Sequence, residues 1–448
     1  MKRFDIFVIG TGVSGTAIAN SCASKGLKTG IVDQREYGGT CAMRGCIPKK
    51  VLWGATQVVE SAARLQGKGI DTAPTINWKA LMAFKQTFIE STPATKEKNF
   101  NENGITTLHG TAKFISANQL QIRDETIEAE KIVIATGNKT RKLEIPGKEH
   151  ALTSEDFLNL EKLPSSMLFI GGGYIALEFA HIAARCGAKV TIVERGDTIL
   201  SNFEEDMVYH LAEISKEMGI EIVTQTEVTA IKPKGSEFEV HGKKDGKPVF
   251  YSTRSVVNAA GRVPEIDGLD LQKGKVDFSS KGIEVNEFLQ SVSNPRVYAA
   301  GDAAASPGLP LTPLASVEAD VVIENLINGN HQKPDYSEMP TVVFTIPVLA
   351  SVGLTEKQAK EKKLDFRVNL QSATTWFSAK RINARKYAFK TLIEKDTEKI
   401  LGAHLIGPHA EETINLFAMA IKTGITTGAL KKLIYSYPSS ATDVQSMV

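Results

Sequence analysis

The chain has 448 residues, 42% of them hydrophobic and 23% charged, and its 53 basic and 51 acidic side chains leave a formal charge of +2. That composition excludes a disordered chain, and a near-neutral balance without a Lys/Arg block excludes a dedicated nucleic-acid binder. Four cysteines in so long a chain exclude a disulfide scaffold, and roughly 150 residues per domain allows about three domains.

The N-terminal apolar run, Phe4 to Ile9, is too short for a signal-peptide core and lacks a small-residue cleavage site. No apolar stretch approaches the ~18 residues that span a membrane. These features predict a cytoplasmic protein whose ordinary thiols stay reduced.

The first elements read as a β-α-β unit. DIFVIGTGV is a strand running into Gly10-Thr11-Gly12-Val13-Ser14-Gly15, TAIANSCASKG is helical and ends at a glycine, and LKTGIVD is a strand ending at Asp33. Clustered glycines permit a tight turn and close approach of the backbone to a pyrophosphate, which the helix N-terminus attracts; the acid at the next strand end accepts from ribose hydroxyls. The unit recurs as SMLFIGGGY, with Gly171-Gly172-Gly173-Tyr174-Ile175-Ala176, then IALEFAHIAARCG and AKVTIVE ending at Glu194. KIVIATG at 131–137 and SVVNAAG at 255–261 echo one another as further strands. Strands alternating with helices predict parallel sheets covered by helices. Two dinucleotide loops in one chain suit electron transfer between two cofactors. From about Tyr336 the pattern turns strand-rich, with no phosphate-binding glycine cluster, and predicts a separate α+β domain.

Between the first unit and KIVIATG lies GGTCAMRGCIPKK. Cys41 and Cys46 read as buried thiols, as half of a zinc site, or as a redox pair. A zinc site needs about four ligands, and no second cysteine pair or nearby histidine supplies them. Five residues along a regular helix separate two Cα atoms by ~7.5 Å, beyond disulfide range. A distorted or helix-initiating turn at Gly38, Gly39, Gly45 and Pro48 would close that gap and lower a thiol pKa. Cys22 and Cys186 lie in helical stretches and read as core packing.

GGTCAMRGCIP resembles the redox motif of the class I pyridine nucleotide-disulfide oxidoreductases, among them glutathione reductase, dihydrolipoamide dehydrogenase and mercuric reductase. VYAAGDAA around Asp302, LTPLASVEA around Thr312, AAGRVP around Gly261 and PTVVFTIPVLASVGLTEKQA extend the likeness along the whole chain. The resemblance implies an α/β fold with two Rossmann-like domains and a C-terminal α+β dimerisation domain, divided as 1–145 (FAD), 146–262 (NAD(P)), 263–335 (return to the FAD side) and 336–448 (interface). It implies a homodimeric NAD(P)H oxidoreductase using FAD and a Cys41–Cys46 disulfide, with Cys46 next to the flavin and Cys41 attacking the acceptor. Lys49 or Lys50 would pair with Glu178 beside the flavin, although each of the three otherwise reads as a surface charge. Flavin contacts would come from the first loop with Asp33, from Gly39, Thr40, Thr111, Ala112, Thr136, Gly137, Asp302 and Thr312. Nicotinamide-nucleotide contacts would come from Gly171, Gly173, Tyr174 (a gate over the flavin), Ile175, Glu194, Arg195 and Gly261.

The chain departs from the family at both ends of the site. The family's C-terminal His-Pro-Thr and a following Glu protonate the leaving thiolate, whereas here Pro438 puts Tyr437 at the His position and Thr442 at the Glu position. With an ordinary pKa near 10, a tyrosine is a poor proton shuttle. Two glutathione-contacting arginines are replaced by Asn20 and Asp320. The terminal Cys-Cys pair of mercuric reductase is missing. For the nicotinamide cofactor, Glu194 favours NADH while Arg195 matches an NADPH-binding arginine whose companion is Ser201, and the balance falls to NADH. The acceptor is expected to be a disulfide, persulfide or related group; a quinone or metal acceptor is the alternative, and a cofactor-binding sensor without turnover is the reading from another class.

Overall fold

The computed structural model describes all 448 residues. In chain order, the elements that position the site are β1 (Lys2–Ile9), α1 (Val13–Ser24), β2 (Thr29–Asp33), α2 (Gly39–Arg44), α3 (Cys46–Arg64) and β3 (Glu125–Ile134). There follow β4 (Ser166–Ile170), α4 (Tyr174–Arg185), β5 (Lys189–Val193), β6 (Ser255–Asn258), α5 (Thr312–Asn328), β7 (Val348–Gly353), β8 (Ala388–Glu394), β9 (Ile400–Gly407) and α6 (Ala410–Thr423). They fall into two discontinuous units. One is Met1–Lys49, Ala83–Arg141 and Arg262–Tyr336; the other is Lys50–Met82, Lys142–Gly261 and Ser337–Val448.

The first unit is built on a sheet in which β1 lies between two parallel neighbours, with Val8 opposite Ile31 of β2 and Val133 of β3. Val297–Ala299 pairs in parallel with β3 on its far side. Both faces of β1 are covered, so its residues from Ile6 to Ile9 are buried as an apolar run rather than alternating. One face packs Phe7, Phe114 and Ile132, and the other packs Val8 and Val133 against Ile18 of α1 and Val322 of α5.

The second unit repeats the plan. β5, β4 and β6 pair in parallel, with Val190 opposite Met167 and Val256 opposite Leu168. The same unit carries a five-stranded sheet in which β7, β9 and β8 are antiparallel. α6 lies on that sheet because Ala410, Thr413, Ile414, Phe417 and Ala420 recur at helical spacing and form one buried face. Phe417 is fully buried, worth about 1.5–3 kcal/mol of transfer free energy.

Candidate active site

The two glycine loops are built alike. Gly10 (φ +111°) crosses the end of β3 so closely that a Cβ there would lie 2.2 Å from the Ala135 carbonyl oxygen. Gly171 (φ +106°) crosses the end of β6 in the same way, 2.5 Å from Ala259 O. A Cβ at Gly39 would lie 2.4 Å from the Gly12 Cα, so the start of α2 presses directly on the first loop. Outward of these contacts the loops are open: a Cβ on Gly12 or Gly173 would meet nothing within 4 Å. Both glycines cap their helices without a side-chain hydrogen bond, which leaves first-turn N–H groups of α1 and α4 for an anion.

The polar atoms around the first loop fit a dinucleotide. Asp33 accepts from Thr11 N (2.9 Å), Thr11 Oγ1 (2.7 Å) and Arg35 N (3.0 Å), so its carboxylate is fixed at the strand end. Thr136 Oγ1 is buried with no protein partner, which fits a bound group that completes its hydrogen bond. Ser14 Oγ donates to Ala315 O at 2.8 Å and ties α1 to α5. Asp302 is raised above the usual carboxylate range by burial, against the pull of Arg262, and its carboxylate accepts no hydrogen bond from the protein. Thr111 is exposed, with its hydroxyl 3.4 Å from Gln34 Oε1, and Ala112 is buried beside it in a strand. Gly137 (φ +69°) turns the chain out of the sheet after β3.

At the second loop, Glu194 is fastened by both oxygens: Oε2 accepts from Gly172 N and Oε1 from Gly196 N, each at 2.5 Å. Arg195 is exposed beside it, and Gly261 is exposed at the exit from the β6 end. Tyr174, the first residue of α4, is 43% exposed, followed by Ile175 and the fully buried Ala176.

The cysteine motif forms two helices rather than one. α2 carries Cys41 and Thr40, Gly45 breaks it (φ −146°, ψ −106°), and α3 begins at Cys46. The break is the distorted, helix-initiating turn expected from the glycines. Both cysteines are thiols, with Cys41 half-buried and Cys46 exposed. The Cys41 thiol is pushed far up, first because it donates to Cys46 and then by burial; the Thr312 hydroxyl and the Lys49 charge pull the other way. Cys46 Sγ lies 3.4 Å from Thr312 Oγ1. Thr312 opens α5, so Cys46 stands at two helix N-termini, where a negative sulfur is stabilised.

The remaining candidates divide between the units. Lys49 belongs with the cysteines and is the lysine whose charge reaches Cys41. Lys50 Nζ sits 3.7 Å from the centroids of both Trp53 and Phe344, a cation–π clamp. Glu178 is 3% exposed, and its Oε1 accepts from Phe344 N at 2.8 Å, so it is no surface acid. Tyr437 is 78% exposed in a segment that also exposes Ile434 completely. Thr442 donates to Ser436 O, and Asp443 is turned inward to Ser378 Oγ and Tyr387 OH. Cys22 is fully buried in the core of the first unit, and Cys186 packs partly buried against the separate core of the second.

Sequence reading missed Glu318. It is 2% exposed and accepts from Gly301 N (2.7 Å), Ser306 Oγ (2.6 Å) and Tyr336 OH (2.8 Å). It thereby holds the turn that presents Asp302. The signal was an acid inside the apolar helical run LASVEADVVI, which holds Glu318 and Asp320.

Two family models together match nearly the whole chain: pyridine nucleotide-disulphide oxidoreductase over residues 4–319, and that family's dimerisation domain over residues 339–448. A glutathione reductase from a Nostoc species is 31% identical over 99% of both chains. A mercuric reductase from Bacillus cereus is 29% identical over 98% of this chain and 70% of its own. Among solved structures, a Cu(II) complex of the HOCl-induced flavoprotein disulfide reductase RclA from Escherichia coli superposes with a TM-score of 0.90, at 26% identity, over 100% of this chain and 99% of that one. No helix is long and apolar enough to cross a membrane. Duplicated dinucleotide loops, a cysteine pair at two helix starts and matches along nearly the full length make this chain a member of the pyridine nucleotide-disulphide oxidoreductase family, an enzyme that uses FAD and NAD(P)H and carries that family's dimerisation domain.

Proposed function

We propose that the chain oxidises NADH and passes the electron pair to Cys41 and Cys46, which reduce an acceptor that needs no proton from a C-terminal histidine. The arrangement of Cys46 carries this reading: two helix starts and the Thr312 hydroxyl favour its thiolate, and Cys41 keeps a proton by donating to it. FAD, when bound, supplies the two-electron exchange between nicotinamide and the sulfur pair. The first loop, Asp33, Thr136 and Asp302 would hold it, with Gly39 and Thr40 bringing α2 close. Glu194, fixed by two amides, places a negative charge where an NADPH 2′-phosphate would lie, which supports NADH.

The reduced pair holds two electrons and one proton. Cys41 Sγ attacks the acceptor sulfur as its proton moves to Cys46. The acceptor S–S bond breaks, one thiolate leaves, and a mixed disulfide forms on Cys41. Cys46 then attacks Cys41 Sγ and passes its proton to the second departing sulfur, closing the Cys41–Cys46 disulfide. The products are one thiol and one thiolate. Without a histidine to protonate the first leaving group, an acidic thiol or persulfide suits this chemistry better than an alkyl thiol. A metal ion is the second reading, favoured by the mercuric reductase and Cu(II)-complexed relatives: two Cu(II) would take one electron each as the disulfide closes and the proton is released.

The test is an anaerobic NADH titration followed by an acceptor screen. A long-wavelength absorption band should appear after two electrons and vanish in Cys46→Ser. Aryl disulfides should turn over much faster than glutathione disulfide. Equal rates for the two, or a band that survives Cys46→Ser, would defeat the proposal.

A further inference from the structure

A cleft of ≈ 210 Å³ in the second unit is lined by residues of α3 and of the start of α6. Glu60, on its wall, has a side chain only 7% exposed and is gripped at both oxygens, by Arg185 Nε at 3.1 Å and Arg385 Nε at 2.9 Å. Arg64 stands near enough to feel both the Glu60 carboxylate and the repulsion of Arg385. Arg381 and Lys386 line the same cleft, and Arg381 is bonded there through its backbone, N–H to Phe377 O at 3.0 Å. The other acid on the wall is Glu411. Arg64, Arg381, Arg385 and Lys386 therefore line a cleft with two carboxylates, one of which is already shared between Arg385 and the buried Arg185.

The donors of these cations are unequally used. Arg185 spends its outer nitrogens on His181 and on Ile346 O and lies behind Glu60. Arg385 is bonded through Nε alone, so its two outer nitrogens are open to the cleft. Arg64 Nε is buried without a partner, and its Nη2 reaches only Ser61 Oγ. Structural arginine clusters are normally balanced by acids or carbonyls, and this one has a surplus of positive charge and unmet donors. The opposite wall is apolar, with Trp53, Pro347 and Val348.

We infer that this cleft binds a compact oxyanion of two or more charges, of the phosphate or pyrophosphate type, free or as the terminal group of an organic molecule. Guanidinium groups in fork geometry suit such oxygens, and the apolar wall would add contact with an organic body. Several charge-assisted hydrogen bonds place the Kd between about 1 µM and 1 mM.

The test uses the full-length protein loaded with FAD and saturated with NAD⁺, so that both glycine loops are filled. Calorimetry at low salt with inorganic phosphate, pyrophosphate and phenyl phosphate should show one site per chain. Tighter binding of phenyl phosphate than of phosphate would assign an organic source, and the reverse a free anion. The double substitution Arg381→Gln with Lys386→Gln, and separately Arg385→Gln, should each weaken binding at least tenfold, with unchanged thermal melting in the first. Absence of binding at 10 mM of every probe, as when a second copy of the chain covers the cleft, would overturn the inference. So would binding that both variants leave intact, an adventitious ion only.

Discussion

Glu318 offers the sharpest test of how the cofactor side is held together. It is buried in α5, and its carboxylate fixes three donors: the Gly301 N–H, the Ser306 hydroxyl and the Tyr336 hydroxyl. Glu318→Gln keeps the shape but removes the charge. A hydrogen bond to a charged group contributes about 1.5–3 kcal/mol and a neutral one about 1, so three bonds lose about 3 kcal/mol in all. Burial raises the Glu318 pKa, with the neighbouring Asp302 adding to the rise, so ending the ionised, desolvated state offsets the loss in overall stability and leaves a local one where the three donors are held. A net 1–2 kcal/mol, felt by the Gly301–Asp302 turn, is roughly a 5- to 30-fold weaker hold on FAD. Release of flavin on dilution, read as fluorescence recovery, measures it directly. The sign of the pH effect is also determined. A folded-state pKa above the unfolded value contributes stability that is complete below the unfolded pKa and is lost as pH rises through the folded one. The wild type should therefore lose stability relative to Glu318→Gln as pH climbs above about 4.5, levelling once Glu318 is ionised. A Glu318→Gln protein with unchanged flavin affinity and the same pH profile would refute this account.

Three further outcomes follow from the geometry. Lys390 is 3% exposed and reaches Glu204 (2.7 Å), Asp206 (2.6 Å) and Glu356. Lys390→Met leaves the carboxylates facing one another and should cost about 3–5 kcal/mol, a fall of roughly 10 °C in Tm; a shift under about 2 °C would mean the cluster rearranges freely. Glu194→Gln should move the kcat/KM ratio towards NADPH by roughly tenfold, since it removes a fixed like charge; an unchanged ratio would show that Glu194 does not face the ribose. Tyr437→His combined with Thr442→Glu should raise turnover of alkyl disulfides by about 10²-fold or more, the size of a general-acid contribution, with aryl disulfides little affected. Equal gains for both classes would mean the pair improves binding rather than proton transfer.

What could be read from the sequence was what is local. Both glycine loops, their strands and their terminal acids sit within about thirty residues of one another, the span of one β-α-β unit. The cysteine motif likewise announces its own turn. Glu178 illustrates the limit: taken alone it reads as an ordinary helix-surface acid, but its carboxylate accepts from the backbone of Phe344, 166 residues away. Lys390 meets its acids across 184 and 186 residues, and a lone lysine inside KYAFKTLIEK carries no sign that three carboxylates will surround it. Glu318 stood between these cases, because an acid in an apolar run is itself a clue to buried donors.

The placement of Cys46 at the starts of α3 and α5 has a consequence for redox poise. A helix start stabilises an adjacent negative charge by about 0.3–1 kcal/mol, and here two act on one sulfur. That stabilisation exists only while Cys46 is a thiolate and disappears when the sulfur pair closes. The helix ends therefore favour the dithiol form and raise the midpoint potential of the couple by roughly 15–40 mV, at about 30 mV per 1.4 kcal/mol. The architecture that makes the sulfur reactive also makes the oxidised pair a readier electron sink.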